Sequence, residues 1–191
     1  MKIARVELKS RTPYSQSKSI DSREVPKKPK ETNDAYEERT WRHRMHVTPE
    51  GNVYIPQTCF ANTVKSSARR LQIQVPGRGK TLFTKYFEAG IMLGEDLVLP
   101  IKADDVRGER LFVPSDGRRG GPKRVYKTFP KIDDWQGTVT FYVLDDMITE
   151  SVFTQVIKSA GLLVGIGRFR PENCGFYGRF DVTRVEWIED G

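Results

Sequence analysis

Hydrophobic residues alternate with polar ones near the start of the chain, a pattern typical of a strand with one buried face. In residues 2–9, Ala4, Val6 and Leu8 alternate with charged residues. Similar short runs predict further strands, and the last of them shifts phase near Thr183, which indicates a β-bulge. The predicted strands are residues 2–9, 41–47, 52–55, 97–102, 110–113, 124–129, 138–144 and 179–188.

Three other segments repeat their hydrophobic residues every three to four positions, as amphipathic helices do. They are residues 60–71, 82–93 and 149–160, and Lys65 and Arg69 fall together on the polar side of the first. The order strand, helix, several strands, helix, strand fits a split β-α-β fold. The sequence therefore predicts an α+β protein with a ferredoxin-like (RRM-like) antiparallel sheet and helices on one face.

Two segments interrupt this scheme within a predicted single domain spanning residues 1–191. Residues 10–40 are highly charged and contain few aliphatic residues, which predicts a long flexible excursion that adds little to the core. Residues 102–131 contain nine Lys or Arg against four Asp or Glu, with a turn-rich centre. This second segment is predicted to be an inserted basic β-hairpin.

The composition is that of a soluble globular protein, with 37% hydrophobic and 30% charged residues among 191. No apolar run approaches the length of a membrane helix. The net charge of +7 favours a polyanionic partner, although charge alone is weak evidence. Cys59 and Cys174 lie far apart without metal-ligand spacing, so we expect a cytoplasmic protein with no disulfide framework, metal or cofactor.

The junction between the strand at 52–55 and the following helix contains Ile-Pro, then a hydroxyl residue, then basic residues about ten positions later. A helix N-terminus offers N–H groups and a positive dipole to phosphates, although an ordinary capped junction accounts for the same pattern. The pattern resembles the repeat-associated (RAMP) superfamily of CRISPR proteins, whose usual Gly-Ser-Ser after Ile-Pro is replaced here by Gln-Thr-Cys. The matching residues are Ile55, Pro56, Thr58, which can cap the helix, Lys65 and Arg69.

Glycine, arginine and aromatic residues are interleaved in residues 160–180, between the last helix and the last strand. Arginines there can contact phosphates and aromatic rings can stack on bases. A plain glycine-rich connector, with its aromatic rings packed on the core, is the alternative. The segment also resembles the C-terminal glycine-rich loop of the RAMP superfamily, which contacts RNA.

The resemblance implies a backbone-type subunit that assembles along single-stranded guide RNA in a CRISPR-like ribonucleoprotein. In such subunits a hairpin inserted in mid-fold acts as a thumb that reaches the neighbouring subunit, and residues 102–131 hold a corresponding position. The implied partners are single-stranded RNA (or single-stranded DNA), copies of the chain in a filament and other CRISPR effector subunits, with no membrane. The predicted nucleic-acid-binding residues are Trp41, Arg42, His43, Lys65, Arg69, Arg118, Arg119, Lys123, Arg124, Arg168, Phe169, Arg170, Tyr177 and Arg179.

Two alternatives remain open. Some relatives cleave RNA without a metal, using a histidine as general acid or base. His43 and His46 would point to opposite faces of the predicted strand, so they are not expected to act as a pair. No local feature distinguishes Asp21 or Asp34 as a catalytic carboxylate, and no catalytic residue is predicted. The other alternative is a phage-encoded mimic of the backbone subunit, or a single-stranded DNA-binding protein.

Overall fold

The computed structural model describes residues 1–115, 117 and 120–189, and these form an α+β architecture with antiparallel sheets. The strands are β1 (Lys2–Ser10), β2 (Tyr14–Ser15), β3 (Asn52–Ile55), β4 (Ile91–Leu93), β5 (Leu97–Lys102), β6 (Arg107–Pro114), β7 (Arg124–Ile132), β8 (Gln136–Val143) and β9 (Phe180–Glu189). The helices are α1 (Asn33–Thr40), α2 (Gln57–Leu71), α3 (Thr84–Ala89) and α4 (Glu150–Ser159).

The main sheet has the strand order β4-β8-β1-β9, and each neighbouring pair is antiparallel. Strand β1 lies in the centre because its Ala4, Val6 and Leu8 face the core and are almost completely buried. Helix α2 follows β1 along the chain, and helix α4 connects β8 to β9. This order is that of a split β-α-β fold, so the predicted fold class is confirmed.

The predicted β-bulge in the last strand is confirmed. Glu7 of β1 pairs with Arg184, whereas the next residue, Leu8, pairs with Val182. Thr183 is therefore the extra residue, and its hydroxyl donates a hydrogen bond to the Glu7 carbonyl oxygen at 3.1 Å. The bulge explains why the hydrophobic alternation of β9 changes phase at this point.

Helix α2 is amphipathic as predicted, and its buried side also carries two hydroxyl groups. The Thr63 Oγ1 donates to the Gly165 carbonyl at 2.7 Å, and the Ser67 Oγ donates to the Val156 carbonyl at 2.8 Å. A buried hydroxyl costs free energy unless it is hydrogen-bonded, so these two bonds specify how α2 sits against α4 and the loop after it.

Strands β6 and β7 form the antiparallel hairpin expected within residues 102–131, from the pair Arg107 and Lys131 to the pair Pro114 and Arg124. Strand β2 adds to the outer edge of β7, so the hairpin belongs to a three-stranded sheet of its own. The predicted contact residues Arg118 and Arg119 lie outside the described residues.

The predicted strand at residues 41–47 is wrong. Helix α1 runs directly into a short 3-10 helix, Trp41–Arg44, and only a bridge between Val47 and Val53 follows it. The Trp41 ring is buried beside Gly108, where a Cβ would lie 3.1 Å from two of its ring atoms. Tertiary packing of this ring has overridden the local strand propensity.

Two further expectations need correction. The helix predicted at 82–93 ends at Ala89, because after Gly90 the residues of β4 pair with β8. Thr58 does not cap α2: the N-cap is Pro56, and the first amide, that of Gln57, donates to the Asp96 carboxylate at 2.8 Å. A carboxylate already occupies one of the N–H groups that were expected to face a phosphate.

Residues 10–40 contribute more to the core than expected. Tyr14 is 1% exposed, and Gln16 donates to the Tyr54 carbonyl at 2.7 Å from a buried position. The Gln16 side-chain oxygen also accepts from the His46 amide at 2.7 Å. The charged composition of the segment concealed these anchors, which join β2 to the rest of the molecule.

Among residues 1–115, 117 and 120–189, no helix combines the length and hydrophobicity needed to cross a membrane. Within the same described part of the chain, no group of three or more His, Cys, Asp or Glu side chains is arranged to hold a metal ion.

Candidate nucleic-acid interface

A groove of about 1220 Å³ separates the β6–β7 hairpin from residues 165–178, which we call the glycine-rich loop. Its remaining wall is formed by the segment after β2 and by the start of α2. The groove combines basic, aromatic and backbone groups, as sites for a single nucleic-acid strand do. Its lining includes Gln16, Arg44, His46, Cys59, Phe112, Arg124, Lys127, Phe129, Arg168, Phe169, Arg170, Glu172 and Cys174.

The glycine-rich loop is held in place by backbone hydrogen bonds to residues 13–15. The Arg168 amide donates to the Ser15 carbonyl at 2.9 Å, and the Gly178 amide donates to the Pro13 carbonyl at 2.8 Å. Gly167 has φ +72°, and a Cβ there would collide with the Tyr14 ring and lie 2.6 Å from the Ser15 oxygen. Only glycine satisfies both the backbone conformation and the close approach, so this part of the predicted loop motif has a structural cause.

Arg168 lines the groove and contacts two aromatic rings. Its guanidinium carbon is 3.1 Å from the centroid of the Phe129 ring and 3.7 Å from that of Phe169. The ring of Phe129 comes from β7, whereas Phe169 follows Arg168 directly in the loop. The guanidinium therefore links the hairpin to the glycine-rich loop through cation–π contacts with one ring from each.

Burial lowers the pKa of Arg168 to about 10, and the neighbouring guanidinium of Arg44 adds to the decrease. Nη1 of Arg168 and Nε of Arg44 are both buried without a hydrogen-bond partner in the part of the chain that the structure describes. The Arg44 side chain, only 13% exposed, forms an ion pair with Glu37 at 2.8 Å. Arg168 has no such ion pair among the described residues, so its charge is compensated mainly by aromatic rings.

The hairpin exposes an aromatic pair beside the groove. Phe112 and Tyr126 face each other across β6 and β7 with ring centroids 5.0 Å apart, and each is about half exposed. Arg124 lies 5.3 Å from the Phe112 ring centroid, and Arg110 lies 4.4 Å from that of Tyr126. Large apolar rings that remain exposed in this way mark a surface available for contact.

Tyr177 makes an internal contact rather than facing the groove. Its hydroxyl donates to the Glu109 carboxylate of β6, and desolvation together with this hydrogen bond raises the pKa of Tyr177 to about 12. The bond ties the glycine-rich loop to the base of the hairpin, on the side away from Phe112.

The structure brings four of the predicted contact residues into the groove lining: Arg124, Arg168, Phe169 and Arg170. The other predicted residues that the structure describes lie elsewhere. Trp41 is buried under the Arg42 guanidinium, 4.2 Å from its ring, and so cannot stack on a base in this conformation. The Arg179 side chain donates to the Leu162 and Phe176 carbonyls near the glycine-rich loop. The other predicted contact residues that are exposed but lie outside the groove lining are Arg42, His43, Arg69 and Lys123.

The basic side of α2 also stays out of the groove. Arg69 pairs with Glu88 at 2.6 Å, and Lys65 is half-buried on the same side of the helix. The helix reaches the glycine-rich loop through Thr63 instead, by its bond to the Gly165 carbonyl. The two motifs of the predicted resemblance therefore do meet, but through a neutral hydroxyl.

Sequence reasoning did not select Gln16, Arg44, Lys127, Phe112 or Phe129, all of which line the groove. Lys127 and Phe129 are two residues apart in β7 and therefore point to the same face, toward the loop. This period-two spacing is the sequence signal that could have identified them. Arg44 lies between the two histidines weighed in the sequence, but Arg168, which joins it in the groove lining, is 124 residues later in the chain.

The two histidines differ sharply in position. His43 is exposed on the 3-10 helix, whereas His46 lines the groove with its ring centroid 5.4 Å from that of Tyr54. Burial lowers the pKa of His46, the charge of Lys18 lowers it further, and Asp96 opposes the decrease. His46 is thus held as a neutral imidazole at neutral pH.

No protein-family model matches the sequence, and no curated protein matches it either. A chain of the type III-B Cmr-beta complex, solved by cryo-electron microscopy bound to cognate target RNA, is similar with a TM-score of 0.50 and 14% identity. The match covers 98% of this chain and 61% of that one. Cmr6 from Pyrococcus furiosus gives a TM-score of 0.49 and 11% identity, over 95% of this chain and 99% of that one.

At such low identity the likeness establishes a common fold. It agrees with the resemblance that the Ile-Pro junction and the glycine-rich segment indicated in the sequence. The protein therefore shares its fold with a chain of the type III-B Cmr-beta complex.

Proposed function

We propose that this chain binds single-stranded RNA in the groove, as a backbone-type subunit of a CRISPR-like ribonucleoprotein. The observation that carries the proposal is the convergence of Arg124, Lys127, Arg168 and Arg170 on one open groove, where Glu172 supplies the one carboxylate among the described lining residues. Arginine and lysine contact phosphates without reading sequence, and exposed rings can stack on any base. The fold shared with a subunit of an RNA-bound complex supports the same interpretation.

Binding should depend steeply on salt, because each neutralised phosphate releases a counterion. If Arg124, Lys127, Arg168 and Arg170 each neutralise one phosphate, log K against log salt should have a slope of roughly −3 for a single strand. Fluorescence anisotropy with a labelled oligoribonucleotide at several salt concentrations measures this slope. A slope near zero, or no binding at low salt, would contradict the proposal.

Cys174 offers a second readout in the same experiment, since it lines the groove and is exposed. Bound RNA should slow its alkylation by a maleimide. Cys59 lines the same groove but is only partly exposed, and burial raises its thiol pKa, so it should react slowly with or without RNA.

Repeating the titration with DNA of the same sequence distinguishes RNA from single-stranded DNA as the preferred ligand.

Assembly into a filament belongs to the same proposal. Half-exposed Phe112 and Tyr126 on the hairpin give each subunit a surface through which a neighbouring copy on the same strand could be contacted. Oligoribonucleotides of increasing length should then give complexes that grow in regular steps, measured by native mass spectrometry. One protein per strand at every length would rule the filament out.

A second candidate function, metal-independent endoribonuclease, is favoured by one observation: His46 lines the groove as a neutral imidazole that could accept a proton from a 2′-hydroxyl. We expect no cleavage from a binding subunit. If the intact protein does cut RNA in the presence of a chelator, His46→Ala should abolish the activity, whereas His43→Ala, outside the groove, should leave it unchanged. Cleavage that survives His46→Ala would exclude this histidine as the base.

A further inference from the structure

Arg44 and Arg168 approach the same aromatic ring from different parts of the chain. The guanidinium carbon of Arg168 is 3.1 Å from the Phe129 ring centroid, and that of Arg44 is 5.2 Å from it. The positive charge of Arg44 contributes to the lowered pKa of Arg168, and each guanidinium retains one buried N–H without a partner among the described residues. Such an arrangement is unfavourable by itself, because a buried unsatisfied donor costs about 1–3 kcal/mol.

The surrounding charges do not remove this imbalance. Glu37 pairs with Arg44 through Nη2 and leaves Nε unsatisfied. Glu109, the acid that lies near Arg168, accepts the hydrogen bond of the Tyr177 hydroxyl. An added oxyanion that contacted both guanidiniums would accept hydrogen bonds from their unsatisfied donors and would reduce their mutual repulsion.

Phe169 contacts this pair of arginines through Arg168. Its ring lies over Arg168 with 3.7 Å between the guanidinium carbon and the ring centroid, yet 41% of the residue is exposed to solvent. Its backbone has φ +53°, a left-handed conformation that is unfavourable for a residue with a side chain. Backbone strain of this kind is concentrated at sites that bind or move, and here it holds an exposed ring over a desolvated cation.

We propose that Arg44 and Arg168 form a seat for one phosphate against the Phe129 ring, and that Phe169 covers this seat until a bound phosphate displaces it. The identity of the occupant, a phosphodiester of single-stranded RNA, rests on the proposed function. The seat itself rests on the geometry of the two arginines and would accept inorganic phosphate as well. In this arrangement Phe169 competes with the nucleic acid, in contrast to the base-stacking role expected from the sequence.

The decisive variant is Phe169→Ala, because the two roles predict opposite effects. If the ring covers the seat, its removal abolishes a cation–π contact that RNA must break, and affinity should rise about three- to tenfold. Phe176→Ala is the matched control, since Phe176 is on the same loop, is 61% exposed and is outside the groove lining. It should leave the affinity unchanged. Weaker binding by Phe169→Ala, or unchanged binding, would overturn the covering role.

Inorganic phosphate tests the seat without RNA. Replacing chloride by phosphate at constant ionic strength should shift the side-chain NMR resonances of Arg44 and Arg168, at lower concentrations in Phe169→Ala than in the unaltered protein. RNA binding without any phosphate-induced shift would overturn the seat and leave the proposed function standing. Phosphate-induced shifts in a protein that does not bind RNA would reject the function and retain the seat.

Discussion

Replacing Arg168 by glutamine is expected to weaken RNA binding at least tenfold, with only a small change in folding stability. A hydrogen bond to a charged group contributes about 1.5–3 kcal/mol, which corresponds to a factor of about ten or more in affinity. Glutamine loses the cation–π contacts with Phe129 and Phe169, but it also removes a desolvated charge that has no ion pair among the described residues, so the net change in stability should be small.

Anisotropy titrations measure the affinity of Arg168→Gln, and urea denaturation measures its free energy of unfolding. Arg184→Gln is the charge-matched control: Arg184 lies on β9, its side chain is 67% exposed, and its only ion pair among the described residues, with Glu7, is long at 3.7 Å. We expect it to change neither quantity by more than about 0.5 kcal/mol. A stability loss that accounts for the whole loss of binding by Arg168→Gln would contradict a direct phosphate contact.

Replacing Gly167 by alanine is expected to destabilise the fold by about 3 kcal/mol or more, and to disrupt the groove. The new Cβ would meet the Tyr14 ring and the Ser15 oxygen, both held in the core by β2. The left-handed conformation alone costs a residue with a side chain about 1–2 kcal/mol, and the steric collision adds to this cost.

Gly79→Ala separates the two contributions. Gly79 has a similar left-handed conformation, with φ +57°, and nothing lies within 4 Å of a Cβ added there. In Gly79→Ala the free energy of unfolding, measured by urea denaturation, should fall only by the cost of the left-handed backbone conformation. The RNA affinity of this variant should be unchanged. Equal destabilisation by both substitutions would show that the collision with Tyr14 is relieved by a small local movement.

The regular elements were largely predictable, for a local reason. The alternation in β1 and the helical spacing in α2 and α4 follow from which side of each element is buried, and the sequence records that burial directly. The bulge at Thr183 was readable in the same way, since a phase change in the alternation requires an extra residue. Where the expectation failed, at Trp41, a ring from one segment packs on Gly108 of another, and no local pattern signals that contact.

The candidate site was predictable only in part. The glycine-rich loop was recognised because its glycines are required by local backbone conformation and close approach. The anchoring role of Tyr14 was hidden in a segment whose average composition is polar, since one buried aromatic residue scarcely changes that average. The choice of Lys65 and Arg69 relied on helix periodicity, which places them on one side of α2 but does not say what that side faces.

The sequence by itself determined the class of the fold, the excess of positive charge and the loop in which arginine and aromatic residues alternate. These properties depend on composition and on neighbours within a few residues. Only the tertiary structure decided which cations share a groove. Arg44, Lys127 and Arg168 are brought together because β2 pairs with β7 and its carbonyls hold the glycine-rich loop against the hairpin. The electrostatic interaction between such residues depends on their distance in space, and that distance does not follow from their separation in the sequence.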